Sequence, residues 1–270
     1  MKNTASLEHN IRAHNKIAKK YEVIHGEIYN DIEQNRLHES LAEALSFVNT
    51  DSEEIIALDF GCGAGNLTQH LTELGCTVLA CDVSQGFLDL VSSRSYAKPV
   101  VTKLLNGIDL SGIEDNSVDM VAMYSVLHHV PDYLSLMKEF MRVLKKGGIL
   151  YIDHEASDMI WSENKEYERF QKEIKKTSRI DFGKYFIFTN YIDRVIRMFS
   201  NSKYQREGDF HVFKDDHIEW KDIRTKILEN GGSIVKEHDY LLYRRMFDRK
   251  TFDILKEKVN DTHCLMARKS

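Results

Sequence analysis

The apolar positions of this chain follow two periods in turn. Over the first fifty residues Leu37, Leu41, Ala44, Leu45 and Val48 recur at helical spacing, as on a helix with one buried stripe. At 55–60 the pattern changes to a short, nearly continuous apolar run, the form of a strand buried on both faces. Asn66 is placed to cap a helix through Leu67, Leu71 and Leu74 that stops at Gly75. A second strand covers 77–81 and ends at Asp82, and Ser84 caps the next helix through Phe87, Leu88 and Val91. Strands are also predicted at 100–105 and at 118–124, the latter with Asp119 as its one charge. A helix then runs from Tyr133 to Lys146, stopped by Gly147 and Gly148, before a fifth strand at 149–153. Strands alternating with helices on short connections predict an α/β fold with a doubly wound, mostly parallel, Rossmann-like sheet.

The rhythm breaks over 155–213. Trp161, Tyr167, Phe170, Tyr185, Phe186, Phe188, Tyr191 and Phe199 crowd this stretch without a strand–turn–helix repeat. Tyr191, Val195 and Met198 recur at helical spacing, as do Ile192, Ile196 and Phe199, so the segment reads as a helical cap inserted after strand five. A helix from Trp220 to Gly231-Gly232 and strands over 233–243 and 263–267 then restore the α/β pattern. The predicted organisation is helices over 1–50, a core over 51–154 and 214–270, and the cap over 155–213.

With 270 residues, 42% of them hydrophobic, the chain can sustain one α/β core, and folding should bury roughly three quarters of the unfolded surface. A formal net charge of −5 argues against a general nucleic-acid or membrane-surface protein, which carries a basic excess. The opening MKNTASLEHN is polar rather than a secretory leader. No apolar run approaches the roughly eighteen residues that a membrane span needs. Cys62, Cys76, Cys81 and Cys264 form no CxxC pair. They read as reduced thiols of a cytoplasmic protein, not as a disulfide frame or zinc site.

Asp59-Phe60-Gly61-Cys62-Gly63-Ala64-Gly65 lies between the first strand and its helix. The glycines let the backbone turn sharply and let a ligand approach without Cβ clashes, and the helix start offers free N–H groups to an anionic group. The dinucleotide fingerprint GxGxxG is absent, because Asn66 holds its last glycine position. The lysine and hydroxyl residue of a phosphate-binding P-loop are absent too.

This D-x-G-x-G-x-G run resembles the first motif of class I S-adenosylmethionine-dependent methyltransferases of the small-molecule type. Further segments fit in order: Asp82 at the end of strand two, 115–119 before strand four, 125–132 after it, and 143–148 before strand five. The resemblance spans about 55–154. It implies S-adenosylmethionine as donor and S-adenosylhomocysteine as product. It places the donor against Gly61, Gly63 and Gly65, with Asp82 on the ribose hydroxyls beside Val83, Ser125 at the strand-four end, and Asp59 near the donor's amino group or holding the loop. Where the family often has Gly-Asp-Ala for the adenine, this chain has Asn106-Gly107-Ile108-Asp109, leaving Asn106, Asp109 or the backbone of Ile108 to serve. Ala18-Lys19-Lys20-Tyr21 resembles a segment that covers the donor, with Tyr21 its candidate contact.

Acceptor chemistry is expected at the carboxyl edge of the sheet. His129, then His128, are candidate bases there, with an imidazole of suitable pKa to take a proton from the acceptor; His154, in Asp153-His154-Glu155, is a third. The cluster of Asp209, His211, Asp215, Asp216 and His217 suggests a hydrogen-bonded turn more than a metal site. The Asn/Asp-Pro-Pro-aromatic run of DNA-base and glutamine methyltransferases is replaced by Tyr124-Ser125-Val126-Leu127, which favours a small-molecule or a lipid- or glycan-type acceptor. Between Lys165 and Arg206 the cap holds eleven Lys/Arg against five Asp/Glu, a bias suited to an anionic acceptor. The alternatives are another nucleotide-using enzyme, such as an oxidoreductase, or a non-catalytic partner protein.

Overall fold

The computed structural model describes residues 28–50, 52–162, 165, 168, 210–244 and 249–270. The chain opens with α1 (Asp31–Ser46), capped by Asn30, whose side chain accepts from Glu33 N–H. There follow β1 (Ile56–Phe60), α2 (Asn66–Glu73), β2 (Thr77–Asp82), α3 (Gln85–Ser92), β3 (Val100–Leu104), β4 (Val118–Tyr124), α4 (Tyr133–Val143) and β5 (Leu144–Ala156). After the short α5 (Asp158–Trp161) come a small hairpin, β6 (Val212–Phe213) with β7 (Asp216–His217), then α6 (Trp220–Glu229), β8 (Gly232–Tyr240), α7 (Arg249–Leu255) and β9 (Thr262–Lys269). The seven-stranded sheet runs β3-β2-β1-β4-β5-β9-β8, with β9 alone antiparallel to the other six strands. This is the predicted Rossmann-like sheet. Its central strands β1 and β4 are largely apolar because both faces are covered. Leu37, Leu41 and Leu71 fill one face, and Leu136, Phe140 and Ile223 the other. Asp119, the lone charge of β4, is buried but accepts Ile56 N–H and pairs with Lys145 at 2.9 Å. Among the described residues no helix is long and apolar enough to cross a membrane.

Several boundaries differ from expectation: β5 runs on to Ala156, into the start of the predicted cap, and β8 ends at Tyr240 rather than at 243. Asn66 is the first residue of α2 and not its cap. That place belongs to Gly65, whose left-handed φ of +85° turns the chain into the helix. The helix predicted to reach Lys146 ends at Val143, because Leu144 turns extended and pairs with Val118, so 144–148 belong to β5. A register shift between Val118 and Met120 absorbs the extra residues. Gly147 serves a close approach: a Cβ there would collide with the backbone of Asn49. The β6–β7 hairpin, α7 and the three-residue 3₁₀ turn at Leu127–His129 were not read from the pattern.

Candidate active site

The strand order reverses between β1 and β4, so a crevice opens at their carboxyl ends. A solvent-open cleft of about 1060 Å³ lies there. Gly61 and Cys62 N–H both donate to Cys81 O, at 2.8 and 2.9 Å, and Gly63 N–H donates to Asp82 Oδ2 at 2.9 Å. Asp82 Oδ1 accepts Ser84 N–H at 2.8 Å. One carboxylate therefore locks the glycine turn to the end of β2. Gly61, at φ +71°, must be glycine, since a Cβ would stand 2.7 and 2.8 Å from the Val126 methyls. Gly61, Gly63, Asp59, Asp82 and Val83 all line the cleft. Gly65 lies outside the lining; a Cβ there would meet the Tyr96 hydroxyl at 2.9 Å, so its duty is packing.

Both carboxylates are raised. Asp59 is 1% exposed and accepts the Thr68 hydroxyl at 2.5 Å. Burial, with the nearby Asp82 charge, pushes it up to about 7. Asp82 is pushed up by burial to about 6, despite N–H donors from Gly63, Ser84 and Val83. Asn66 was missed by the sequence reading as a ligand contact. It lines the cleft, and its Nδ2 is buried with no acceptor among the described residues. A buried donor of this kind calls for an acceptor from a ligand.

The loop after β3 closes one end. Asn106 is exposed, outside the cleft lining, and folds back on its own loop, its Oδ1 accepting Ile108 and Asp109 N–H at 2.8 and 3.0 Å. Gly107, Ile108 and Asp109 face the cleft instead. Ile28 and Tyr29, just before α1, also line it. Tyr21 lies outside the described residues.

At the β4–β5 edge two successive strand ends carry left-handed residues, Ser125 at φ 61° and His154 at φ 63°, a backbone cost that gathers at functional sites. Glu155 anchors the loop after β4: its Oε1 accepts Val126 and Leu127 N–H, and its Oε2 meets His128 Nδ1 at 2.8 Å. Burial opposes its charge, but His128 and the amides outweigh burial and hold the carboxyl below its ordinary range. His129, Ser125, Val126 and Val130 line the cleft. His128 lies outside the lining, its ring 4.1 Å from that of His129. His154 also lies outside. It stacks on Tyr124 at 4.5 Å, and burial pushes it down to about 4, so it is neutral near pH 7. Of the three candidate bases the structure brings only His129 to the cleft. Asp153 points away, binding Arg36, Tyr151 and Tyr240.

Most of the predicted cap lies outside the described residues, as does Asp209. Its two ends are described: α5 follows β5 directly, and Phe210 and His211 N–H donate to His128 O at 2.8 and 3.2 Å. His211 also meets Asp216 at 2.6 Å and Val130 O at 3.0 Å. The polar cluster is thus a hydrogen-bonded hairpin.

Residues 58–152 match a family model described as "Methyltransferase domain". The chain is 34% identical over 95 residues to a malonyl-[acyl-carrier protein] O-methyltransferase of Yersinia pestis, covering 35% of this chain and 34% of that one. It is 33% identical over 152 residues to a demethylmenaquinone methyltransferase of Staphylococcus aureus, covering 55% and 61%. It thus spans between about a third and three fifths of the curated relatives it matches. In fold it is similar to magnesium protoporphyrin IX methyltransferase from Synechocystis PCC 6803, solved with bound SAH, at a TM-score of 0.52 and 14% identity, covering 89% and 88%. The cleft suits an adenosyl amino-acid donor. The open backbone at Gly63 admits close contact, Asp59 and Asp82 offer acceptors, and Asn66 Nδ2 needs one.

Proposed function

We propose that this chain, whose residues 58–152 match a methyltransferase-domain model, is a class I S-adenosylmethionine-dependent methyltransferase that methylates a small, anionic acceptor entering from the β4–β5 side. The observation that carries the reading is that one continuous cleft joins the glycine turn and its two raised carboxylates to His129. The named relatives differ in acceptor, a malonyl-[acyl-carrier protein] in one and demethylmenaquinone in the other.

The donor, when bound, supplies a methyl group already activated on a sulfonium. The protein's task is alignment and exclusion of water. Asp82 accepts from the ribose hydroxyls while its other contacts fix the turn. Asp59 accepts from the donor's amino group, and Asn66 Nδ2 donates to an acceptor atom of the ligand. Gly107, Ile108 and Asp109 border the adenine end. On the acceptor side, a ring nitrogen of His129 takes the proton from the attacking atom. Glu155 positions the loop that carries it, through Val126, Leu127 and His128. The basic excess of the sequence over 165–206 favours an anionic acceptor.

Calorimetry is expected to give one S-adenosylhomocysteine site per chain and no uptake of NAD. The opposite preference would overturn the assignment in favour of an oxidoreductase. Labelled S-adenosylmethionine incubated with the protein and fractionated extract is expected to mark one acidic product class. Arg194→Glu with Arg197→Glu is expected to raise the acceptor's KM and leave S-adenosylhomocysteine affinity unchanged.

A further inference from the structure

Away from the cleft, α1 and α2 bring three ligand-type side chains together. His38 comes from α1, and His70 and Glu73 from the last turn of α2. The two Nδ1 atoms stand 3.2 Å apart, Glu73 Oε2 is 4.0 Å from His38 Nδ1, and all three ligand atoms lie within 4.8 Å of one another. Two nitrogens at that separation, each about 2.05 Å from a shared ion, subtend about 103°, close to tetrahedral.

The surroundings set the rings for this. Gln34 Nε2 donates to Ile28 O at 3.1 Å, so its Oε1 is the acceptor that meets His70 Nε2 at 2.9 Å. His70 therefore carries its proton on Nε2 and presents the Nδ1 lone pair to His38. His70 is 7% exposed, and burial, with His38 beside it, lowers its pKa, so it is neutral at pH 7. Glu73 is steadied through its other oxygen, Oε1, which accepts from Gln69 Nε2 at 2.6 Å. A ring nitrogen fixed by an amide on its far side and a carboxylate held by a second amide form the outer support that metal ligands use.

We propose that His38, His70 and Glu73 bind one divalent transition-metal ion of the zinc type, fastening α1 to the helix that follows the glycine turn. Without metal, His38 Nδ1–H donates to His70 Nδ1. On binding, that proton leaves to water while the half-exposed Nε2 gains one, so both Nδ1 lone pairs face the ion and the ring charge is unchanged. Glu73 supplies the third ligand by a small rotation of an exposed side chain, and water completes the tetrahedron. The site serves structure: Gln34 links His70 to Ile28, which lines the cleft.

The test is calorimetric titration of the metal-stripped full chain with Zn²⁺, with Co²⁺ absorbance as a second probe. Wild type is expected to bind an equivalent that His38→Ala and Glu73→Gln lose or weaken strongly, and Zn²⁺ is expected to raise the melting temperature of wild type alone. Gln34→Ala is expected to weaken binding by about tenfold or more. His38 and Glu73 are both partly exposed, so their replacement leaves the core intact. The proposal is overturned if wild type takes up no metal, or if both variants bind as many equivalents as tightly as wild type.

Discussion

Two pairs of buried carboxylates end strands of the same sheet edge. Asp59 and Asp82, on β1 and β2, are stabilised by hydroxyl and backbone donors, and burial raises both. Asp153 and Glu155, on β5, suffer the same burial, yet Arg36 and His128 outweigh it and both stay below the ordinary range. The contrast separates two duties. The β5 pair is satisfied within the protein: Arg36 donates twice to Asp153 Oδ2 at 3.1 Å, and Tyr151 and Tyr240 complete the shell. It ties α1 to the sheet and the His129 loop to β5. In the first pair the cost of burying charge is offset by no cation among the described residues. A ligand with a positive charge and hydroxyl donors complements such a pair, as the methionine-derived donor does.

The largest expected effect comes from breaking the self-contained pair. Arg36→Ala leaves Asp153 charged and buried, and urea unfolding should show a loss of about 3–5 kcal/mol. Asp82→Ala should leave stability far less affected. Next is catalysis. His129→Ala should slow turnover about a hundredfold, about 2.7 kcal/mol of barrier, with donor affinity nearly intact. His154→Ala should leave the chemical step close to wild type. Wild-type rates in the His129 variant would remove it from the reaction. Third, Asp82→Ala should weaken S-adenosylhomocysteine by about 1.5–3 kcal/mol as charge-assisted hydrogen bonds are lost. Unchanged affinity would reduce Asp82 to a lock on the glycine turn.

The two regions were unequally legible in the sequence. The donor side is built from contiguous residues: a strand, a glycine turn and an acid one strand later, each fixed by local backbone demands. Those demands leave a spacing that can be read. Asn66 was misassigned because asparagine before an apolar helical run looks like a cap, and the left-handed glycine that takes that place gives the same pattern. On the acceptor side the determining contacts join residues far apart in sequence, such as Arg36 with Asp153 and Glu155 with the amides at 126 and 127. No periodicity records them. Three polar residues in succession, 153–155, showed that their side chains must diverge. Which of them faced Arg36, Tyr124 or His128 required the packing of α1 and the loop after β4. The end of α4 was misplaced for a related reason: the pairing of Leu144 with Val118 is a tertiary contact that overrode a glycine stop signal.

The smallest effect bears on Asp59, which the proposed reading sets against the donor's amino group. Its folded value, about 7, lies above the ordinary 3.8. With the folded value raised, its contribution to stability is fully present below about pH 4 and is lost as pH rises through 7, Asp82 adding the same trend up to about 6. The β5 carboxylates act oppositely, giving stability that disappears only as pH falls through their lowered values. Asp59→Asn should flatten the decline between about pH 5 and 7 in thermal unfolding of the ligand-free protein. If the donor's ammonium sits against Asp59, binding draws its pKa down and expels a proton. Affinity for S-adenosylhomocysteine should then rise roughly fourfold from about pH 6.5 to 8, and calorimetry in buffers of different ionisation enthalpy should register the released proton. Asp59→Asn should abolish both. Equal affinity across that range in wild type, with the stability slope still removed by the substitution, would confine Asp59 to holding Thr68 and the turn.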